Sequence, residues 1–233
     1  DYISVIIKVG KDRTATIILG TSGGSFTLED QAWDGCNGDV FALSSGSNLT
    51  NCRLTWSCDD YKKKIWAFGD SYFTHVETRW PYHVITWGFD NMLLDGYAGR
   101  NSVQAYPSFL AALKHGTPKY VFWCLGMNDP DDSAVDASWL TVIQNVISKC
   151  LEKGITPILA TIPSTPTNDN SYKNAWVKAS GYRYVDFEAA VVSSGTTWYT
   201  GMLNTTDNVH PTAIGASALA FKAISDLPEL MQS

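Results

Sequence analysis

Hydrophobic and polar positions follow two rhythms along this chain. Residues 1–60 read as β. Ile3 to Lys8 and Thr14 to Leu19 are rich in β-branched residues, and Gly10-Lys11-Asp12 between them has turn chemistry, so a hairpin is predicted. Ser25 to Leu28 has the texture of a further strand. Gly, Ser, Asn and Thr punctuate short apolar stretches as far as Trp56, with no helical period. A segment this small buries little core alone. It is expected to pack on the rest of the chain or to belong to a β-sandwich.

From about Lys62 to the end, residues 61–233, strands and helices are predicted to alternate. Ile65 to Phe68, Met92 to Leu94, Tyr120 to Leu125, Ile155 to Ile162 and Tyr184 to Phe187 are apolar runs of strand length. Asn101 is placed to cap a helix running to about Lys114. Ala137 to Lys153 has helical periodicity and stops at Gly154; Ser171 to Ala179 is helical and stops at Gly181. Pro211 is expected to open a last helix, since proline suits a first helical position. Strands apolar on both faces, alternating with helices, imply a parallel sheet covered on both sides. Ligands of such sheets sit at the carboxyl ends of the strands.

Composition narrows the function classes. The chain of 233 residues is 45% hydrophobic and 17% charged, a globular balance. Its formal net charge is −6, which disfavours a nucleic-acid partner. No apolar run approaches the roughly 20 residues of a membrane-spanning helix. The chain starts at Asp1, so an upstream piece is expected to have been removed, and a secreted or periplasmic location is expected. Five cysteines leave at least one thiol unpaired. A Cys52–Cys58 or Cys36–Cys52 disulfide would fit an oxidising compartment; five free thiols, with Cys124 and Cys150 in apolar surroundings, is the other reading.

Candidate chemistry gathers at the strand ends. Ser71 follows an apolar strand through Gly69-Asp70 and is expected to open a helix, where its backbone N–H can face a carbonyl oxygen. A serine nucleophile needs a base, and imidazole is the usual one at neutral pH. His210 stands in Asp207-Asn208-Val209-His210-Pro211, with Asp207 able to fold back and orient it. His75, His83 and His115 have no acidic partner at such spacing; His75, four residues after Ser71, is the rival base, with a helix-surface histidine as its other reading. Gly99, after the second strand, can present a backbone N–H, and Asn128, after the third, a side-chain amide. Each of these residues alone is also ordinary cap or turn chemistry. Their order along the chain is what carries the reading.

These blocks resemble the SGNH, or GDSL-type, hydrolase superfamily: Gly69-Asp70-Ser71, then Gly99, then Gly126-x-Asn128-Asp129, then Asp207-x-x-His210-Pro211. The resemblance implies a flavodoxin-like three-layer α/β/α fold with a parallel sheet, preceded here by the small β-rich segment. It implies a serine esterase without cofactor, with Ser71 as nucleophile, His210 as base and Asp207 as its orienting acid. The oxyanion hole would be the N–H groups of Ser71 and Gly99 with the Asn128 amide. Tyr72-Phe73 after the serine departs from the plant-type GDSL lipase signature. Ala98-Gly99-Arg100 resembles the second block of carbohydrate acetylesterases.

A small acyl group, acetyl, on a saccharide is therefore the expected substrate. Tyr72, Tyr97, Trp123, Trp198 and Tyr199 are candidates for a sugar platform, with core packing as the alternative for each. Arg100 is a candidate substrate-binding residue; the alternative is a salt bridge with Asp70 or Asp95. A lipid esterase or thioesterase, or a carbohydrate-binding protein without turnover, are the competing functions. Gly20-Thr21-Ser22-Gly23-Gly24 fits the Gly-x-Ser-x-Gly pattern, but a strand-like stretch follows it, so a hairpin loop is expected. No metal or phosphate-binding motif is present. Asp129, Asp131 and Asp132 read as a solvated acidic turn.

Overall fold

A computed structural model of the chain describes residues 5–9, 15–19, 24–28, 62–74, 77–89, 91–130 and 137–232. They fall in two compact units. In the first, β1 (Val5–Val9), β2 (Ala15–Leu19) and β3 (Gly24–Leu28) form an antiparallel sheet in sequence order. Val5 pairs with Leu19 and Ala15 with Leu28. The expected hairpin is therefore present as strands. The Gly10-Lys11-Asp12 turn, the Gly20–Gly23 loop, Cys36, Cys52, Cys58, His75, Asp131 and Asp132 lie outside the described residues.

The second unit is a five-stranded parallel sheet with helices on both faces. Its elements in chain order are β4 (Ile65–Gly69), α1 (Trp80–Thr86), β5 (Met92–Gly96), α2 (Ser102–Ala112), β6 (Tyr120–Cys124), α3 (Ala137–Glu152), β7 (Thr156–Ala160), α4 (Ser171–Ala179), β8 (Tyr184–Val185), α5 (Phe187–Val191), the two short strands β9 (Val192–Ser194) and β10 (Thr197–Trp198), and α6 (Ala213–Asp226). The strand order is β5-β4-β6-β7-β8, all parallel. The central strands β4, β6 and β7 are buried except at Tyr120 and Thr156, which open the latter two, and their side chains alternate between two cores. Ile65, Ala67, Phe122, Cys124, Ile158 and Ala160 pack with residues of α1, α5 and α6. Trp66, Phe68, Val121, Trp123 and Leu159 pack with residues of α2, α3 and α4. Cys124 and Cys150 are buried free thiols.

Local chemistry explains the boundaries. Asn101 caps α2 in a reciprocal capping box with Gln104. Two expectations move. The final strand stops at Val185, because Asp186 caps α5 by accepting the Ala189 N–H at 3.3 Å. The last helix opens at Ala213 rather than Pro211: Thr212 is its N-cap, and its hydroxyl accepts from Gly215 N–H at 3.3 Å. The helix α1 and the β9–β10 hairpin have no clear signal in the sequence pattern.

Candidate active site

Ser71 stands just past the carboxyl end of β4, on a single 3₁₀ turn, Ser71–Phe73, rather than a full helix. The Asp70 carboxylate caps that turn by accepting the Tyr72 N–H at 3.0 Å. His210 approaches from the loop before α6, with Nε2 at 2.8 Å from Ser71 Oγ. On its other side Nδ1 lies 2.9 Å from Asp207 Oδ2.

The acid is well defined electrostatically. Burial would raise the Asp207 carboxyl. Hydrogen bonds from the backbone N–H of His210 and Val209, and from the imidazole, outweigh that and hold it at about 2. An ionised carboxylate only accepts, so Nδ1 carries the ring proton and Nε2 is left to accept from the serine hydroxyl.

The loop holds its own shape. Asp207 Oδ1 accepts the N–H groups of Val209 and His210, each at 2.9 Å. Asn204 donates its amide to Oδ2 at 3.2 Å, and its backbone N–H to the His210 carbonyl at 2.8 Å. Asn208 takes the left-handed conformation at φ 56° that the tight turn requires. A second long-range bond ties the loop to the Ser71 turn: the Tyr72 hydroxyl donates to the Val209 carbonyl.

The proposed oxyanion donors stand on neighbouring strand ends. Gly69 is in register with Gly96 of β5 and with Cys124 of β6. Ser71, Gly99 and Asn128 thus follow three adjacent strands at one end of the sheet. No acceptor among the described residues takes the backbone N–H of Ser71 or of Gly99. Gly99 has φ 74° in a turn closed by the Arg100 N–H on the Tyr97 carbonyl, a conformation that glycine adopts without strain. Gly96 is required for another reason: a Cβ there would lie 2.7 Å from the Phe73 backbone. Asn128 Nδ2 donates to the Arg100 carbonyl at 3.1 Å, which leaves its second N–H for a ligand.

The loop that carries Asn128 is pinned from below. The Asp129 carboxylate accepts the Ser102 N–H at 3.0 and 3.1 Å and its hydroxyl at 2.9 Å. This is a correction for Asp129, which is buried and bonded rather than part of a solvated turn. Lys173 of α4, only 4% exposed, donates to the Gly126 carbonyl at 2.9 Å, to Asn170 Oδ1 at 3.0 Å and to the Asp129 carbonyl at 3.4 Å. Its ammonium spans both ends of the loop.

Several expectations change at this site. Arg100 takes the structural one of its two roles. It is 6% exposed, and Nη1 pairs with Asp95 Oδ1 at 2.7 Å. Its Nε and Nη2 donate to the Gly69 carbonyl at 3.2 and 2.9 Å, and Nη2 also to the Asp95 carbonyl. It ties the β4 and β5 ends together. Tyr72, Trp123 and Trp198 are buried, and the Trp198 indole donates to the Ser164 carbonyl. Tyr97 and Tyr199, at 45% and 49%, are the exposed ones of that group. His83 is bonded to the Glu77 carbonyl, not to Ser71. Residues without a sequence signal are Asn204, Lys173 and Arg79, whose Nε donates to the Ser71 carbonyl at 2.5 Å. Lys173 reaches Gly126 and Asp129 from far along the chain, whereas Asn204 and Arg79 lie near their partners in sequence but in no motif.

A cavity of about 270 Å³ lies beside the Gly99 turn, lined by Tyr97, Ala98, Gly99, Arg100 and Gln104. A larger one of about 430 Å³, lined by residues of α3 and α4 and by Tyr182, includes none of Ser71, Asp207 and His210.

The parallel sheet, its two helical layers and the polar residues at its carboxyl end give this unit the three-layer α/β/α fold of GDSL-type hydrolases. The chain is similar to a solved putative lipolytic protein of the G-D-S-L family from Desulfitobacterium hafniense, with TM-score 0.60 and 19% identity over 71% of this chain and 99% of that one. It is similar to a putative acylhydrolase from Bacteroides fragilis, with TM-score 0.56 and 17% identity over 73% and 88%. A variant of an acetyl xylan esterase from Geobacillus stearothermophilus matches with TM-score 0.55 and 15% identity over 70% and 94%. No protein-family model and no curated protein matches the sequence. Among the described residues no helix is long and apolar enough to cross a membrane.

Proposed function

We propose that this protein is a serine ester hydrolase that works through an acyl-enzyme and removes small acyl groups, acetyl above all, from carbohydrate. The observation that carries the reading is the unbroken chain Ser71 Oγ, His210 Nε2, His210 Nδ1, Asp207 Oδ2, with links of 2.8 and 2.9 Å. His210 takes the hydroxyl proton as Ser71 Oγ attacks the acyl carbon. The carbonyl oxygen becomes an oxyanion facing the Ser71 and Gly99 N–H groups and the Asn128 amide. The bond to the leaving oxygen breaks as His210 hands it the proton. Water then repeats the sequence in reverse roles and releases the acid. Asp207 stays ionised throughout, as its low pKa requires.

The preference for a small acyl group rests on the modest cavity beside Gly99 and on the short, polar loops after the three strands. The exposed rings of Tyr97 and Tyr199 suit a sugar face. A similar fold in an acetyl xylan esterase agrees with this without deciding it. A fluorophosphonate probe should label wild-type protein and not Ser71→Ala, and only the wild type should hydrolyse p-nitrophenyl acetate. Labelling that survives Ser71→Ala would sink the nucleophile assignment. Rates that rise from acetyl to octanoyl esters would favour a lipid esterase instead.

A further inference from the structure

Arginine recognises planar anions, and a partly desolvated guanidinium is at its most favourable with a carboxylate against it. Three arginines lie among the described residues. Arg100 is clamped on Asp95, and Arg183 on Glu229. Arg79 has no ion-pair partner among the described residues.

Arg79 is nevertheless drawn in beside the nucleophile. It is the N-cap residue of α1, half-buried, and its side chain reaches back to the turn that carries Ser71. Nε donates to the Ser71 carbonyl at 2.5 Å. Nη1 donates to Thr78, to its carbonyl at 2.9 Å and its hydroxyl at 2.8 Å. Nη2 donates to no group among the described residues. Burial pushes the guanidinium below its ordinary value, while the fields of Tyr72, Asp207 and Asp70 pull it back up. Asp207 is close enough to be felt, but its oxygens are already taken by His210, Val209 and Asn204. Among the described residues, the charge beside Ser71 therefore has no dedicated counter-ion.

We propose that Arg79 is the anion-recognition residue of this active site, and that the ester substrate carries a carboxylate close to its scissile acyl group, as an acidic sugar does. The proposal rests on the esterase reading above. The bond to the Ser71 carbonyl anchors the guanidinium on the same residue that carries the reacting oxygen. Its remaining N–H donors supply the charge-assisted bonds that a carboxylate accepts. The role first considered for Arg100 thus falls to a residue with no motif around it.

The test uses two substrates that differ in charge alone: an O-acetylated methyl galacturonoside and its C6 carboxamide, with acetate release measured. Wild-type protein should prefer the carboxylate by about tenfold or more in kcat/KM, carried chiefly by KM. The preference should shrink with added salt. Arg79→Gln should bring the ratio close to one, whatever happens to either absolute rate, and Arg79→Lys should keep part of it. Inhibition of the wild type by galacturonate against galacturonamide gives the same reading without a variant. Equal losses on both substrates would make Arg79 only a prop for the Ser71 turn and overturn the proposal. So would a wild type without preference, or one that cleaves p-nitrophenyl acetate and neither sugar. A protein that hydrolyses no ester and takes no fluorophosphonate label would fail the esterase reading itself, and this proposal with it.

Discussion

In the loop from Asp207 to His210, most polar contacts join residues two to six positions apart. In the loop from Gly126 to Asp129, the side-chain contacts run to Arg100, Ser102, Asn168 and Lys173. The first loop is half-exposed and shapes itself; the second is mostly buried and is shaped by its neighbours. In the proposed mechanism one carries the base, which must be placed but also free to take and return a proton. The other carries a dipole that should already be aimed before charge develops, and rigid surroundings serve that purpose.

The largest expected effect comes from breaking the base arm. His210→Ala should lower kcat by about a thousandfold or more, with thermal stability near wild type, because the loop has few tertiary contacts to lose. Asp207→Asn should leave more residual turnover than His210→Ala, since the base remains. Steady-state kinetics beside a melting curve would read both, and a His210→Ala variant within tenfold of wild type would remove His210 from the mechanism.

The oxyanion arm should respond differently. Asn128→Ala should cost on the order of a hundredfold in kcat with little change in KM. Lys173→Met should lower kcat in the same direction by less, and should also destabilise the fold by about 2 kcal/mol or more, because buried carbonyls lose a charged donor. Urea titration and kinetics on one preparation separate the two effects. If Lys173→Met lost stability with kcat intact, the ammonium would be a core staple only.

The turn beneath Ser71 offers a pH test. Burial lifts the Asp70 carboxyl from 3.8 to about 7, against the Tyr72 N–H and Arg100, which pull it down. A group whose folded pKa is raised binds more protons folded than unfolded between those values. Its contribution to stability is therefore full below about 3.8 and is lost as pH rises through about 7. Asp70→Asn should flatten that part of the stability profile and be relatively more stable at pH 8 than at pH 4. An unchanged slope from denaturation midpoints across this range would show that Asp70 ionises freely in the folded protein.

The smallest effect is expected at Trp123. Its ring is 1% exposed, its indole N–H has no partner, and it packs on Phe68 and Phe109. Trp123→Phe removes an unsatisfied donor and leaves a small void, two terms of opposite sign and similar size. Stability should shift by about 1 kcal/mol or less, and KM for an acetylated saccharide should not move. A raised KM would return Trp123 to the substrate path.

Most of the sheet was legible because its signal is local. Apolar runs at Ile65, Tyr120 and Ile155, each ended by a turn residue, mark buried parallel strands by composition alone. Helix α3 showed its period and its stop at Gly154, α2 its cap at Asn101 and α4 its stop at Gly181. Helix α1 did not, since seven residues around Pro81 make less than two full turns and the pattern has no length in which to repeat. The β9–β10 hairpin, with strands of three and two residues, fails for the same reason.

Sequence alone determined which side chains stand at the strand ends, and that Asp207 and His210, three positions apart, can meet through one turn. It could not determine that His210 reaches a serine 139 positions away. Nor could it distinguish two arginines. Arg100 sits inside the second block and turned inward onto Asp95, while Arg79, in no motif, came to rest beside Ser71. A long cation goes where packing leaves it a partner or a path to water, and the folded surroundings set that balance, not spacing along the chain.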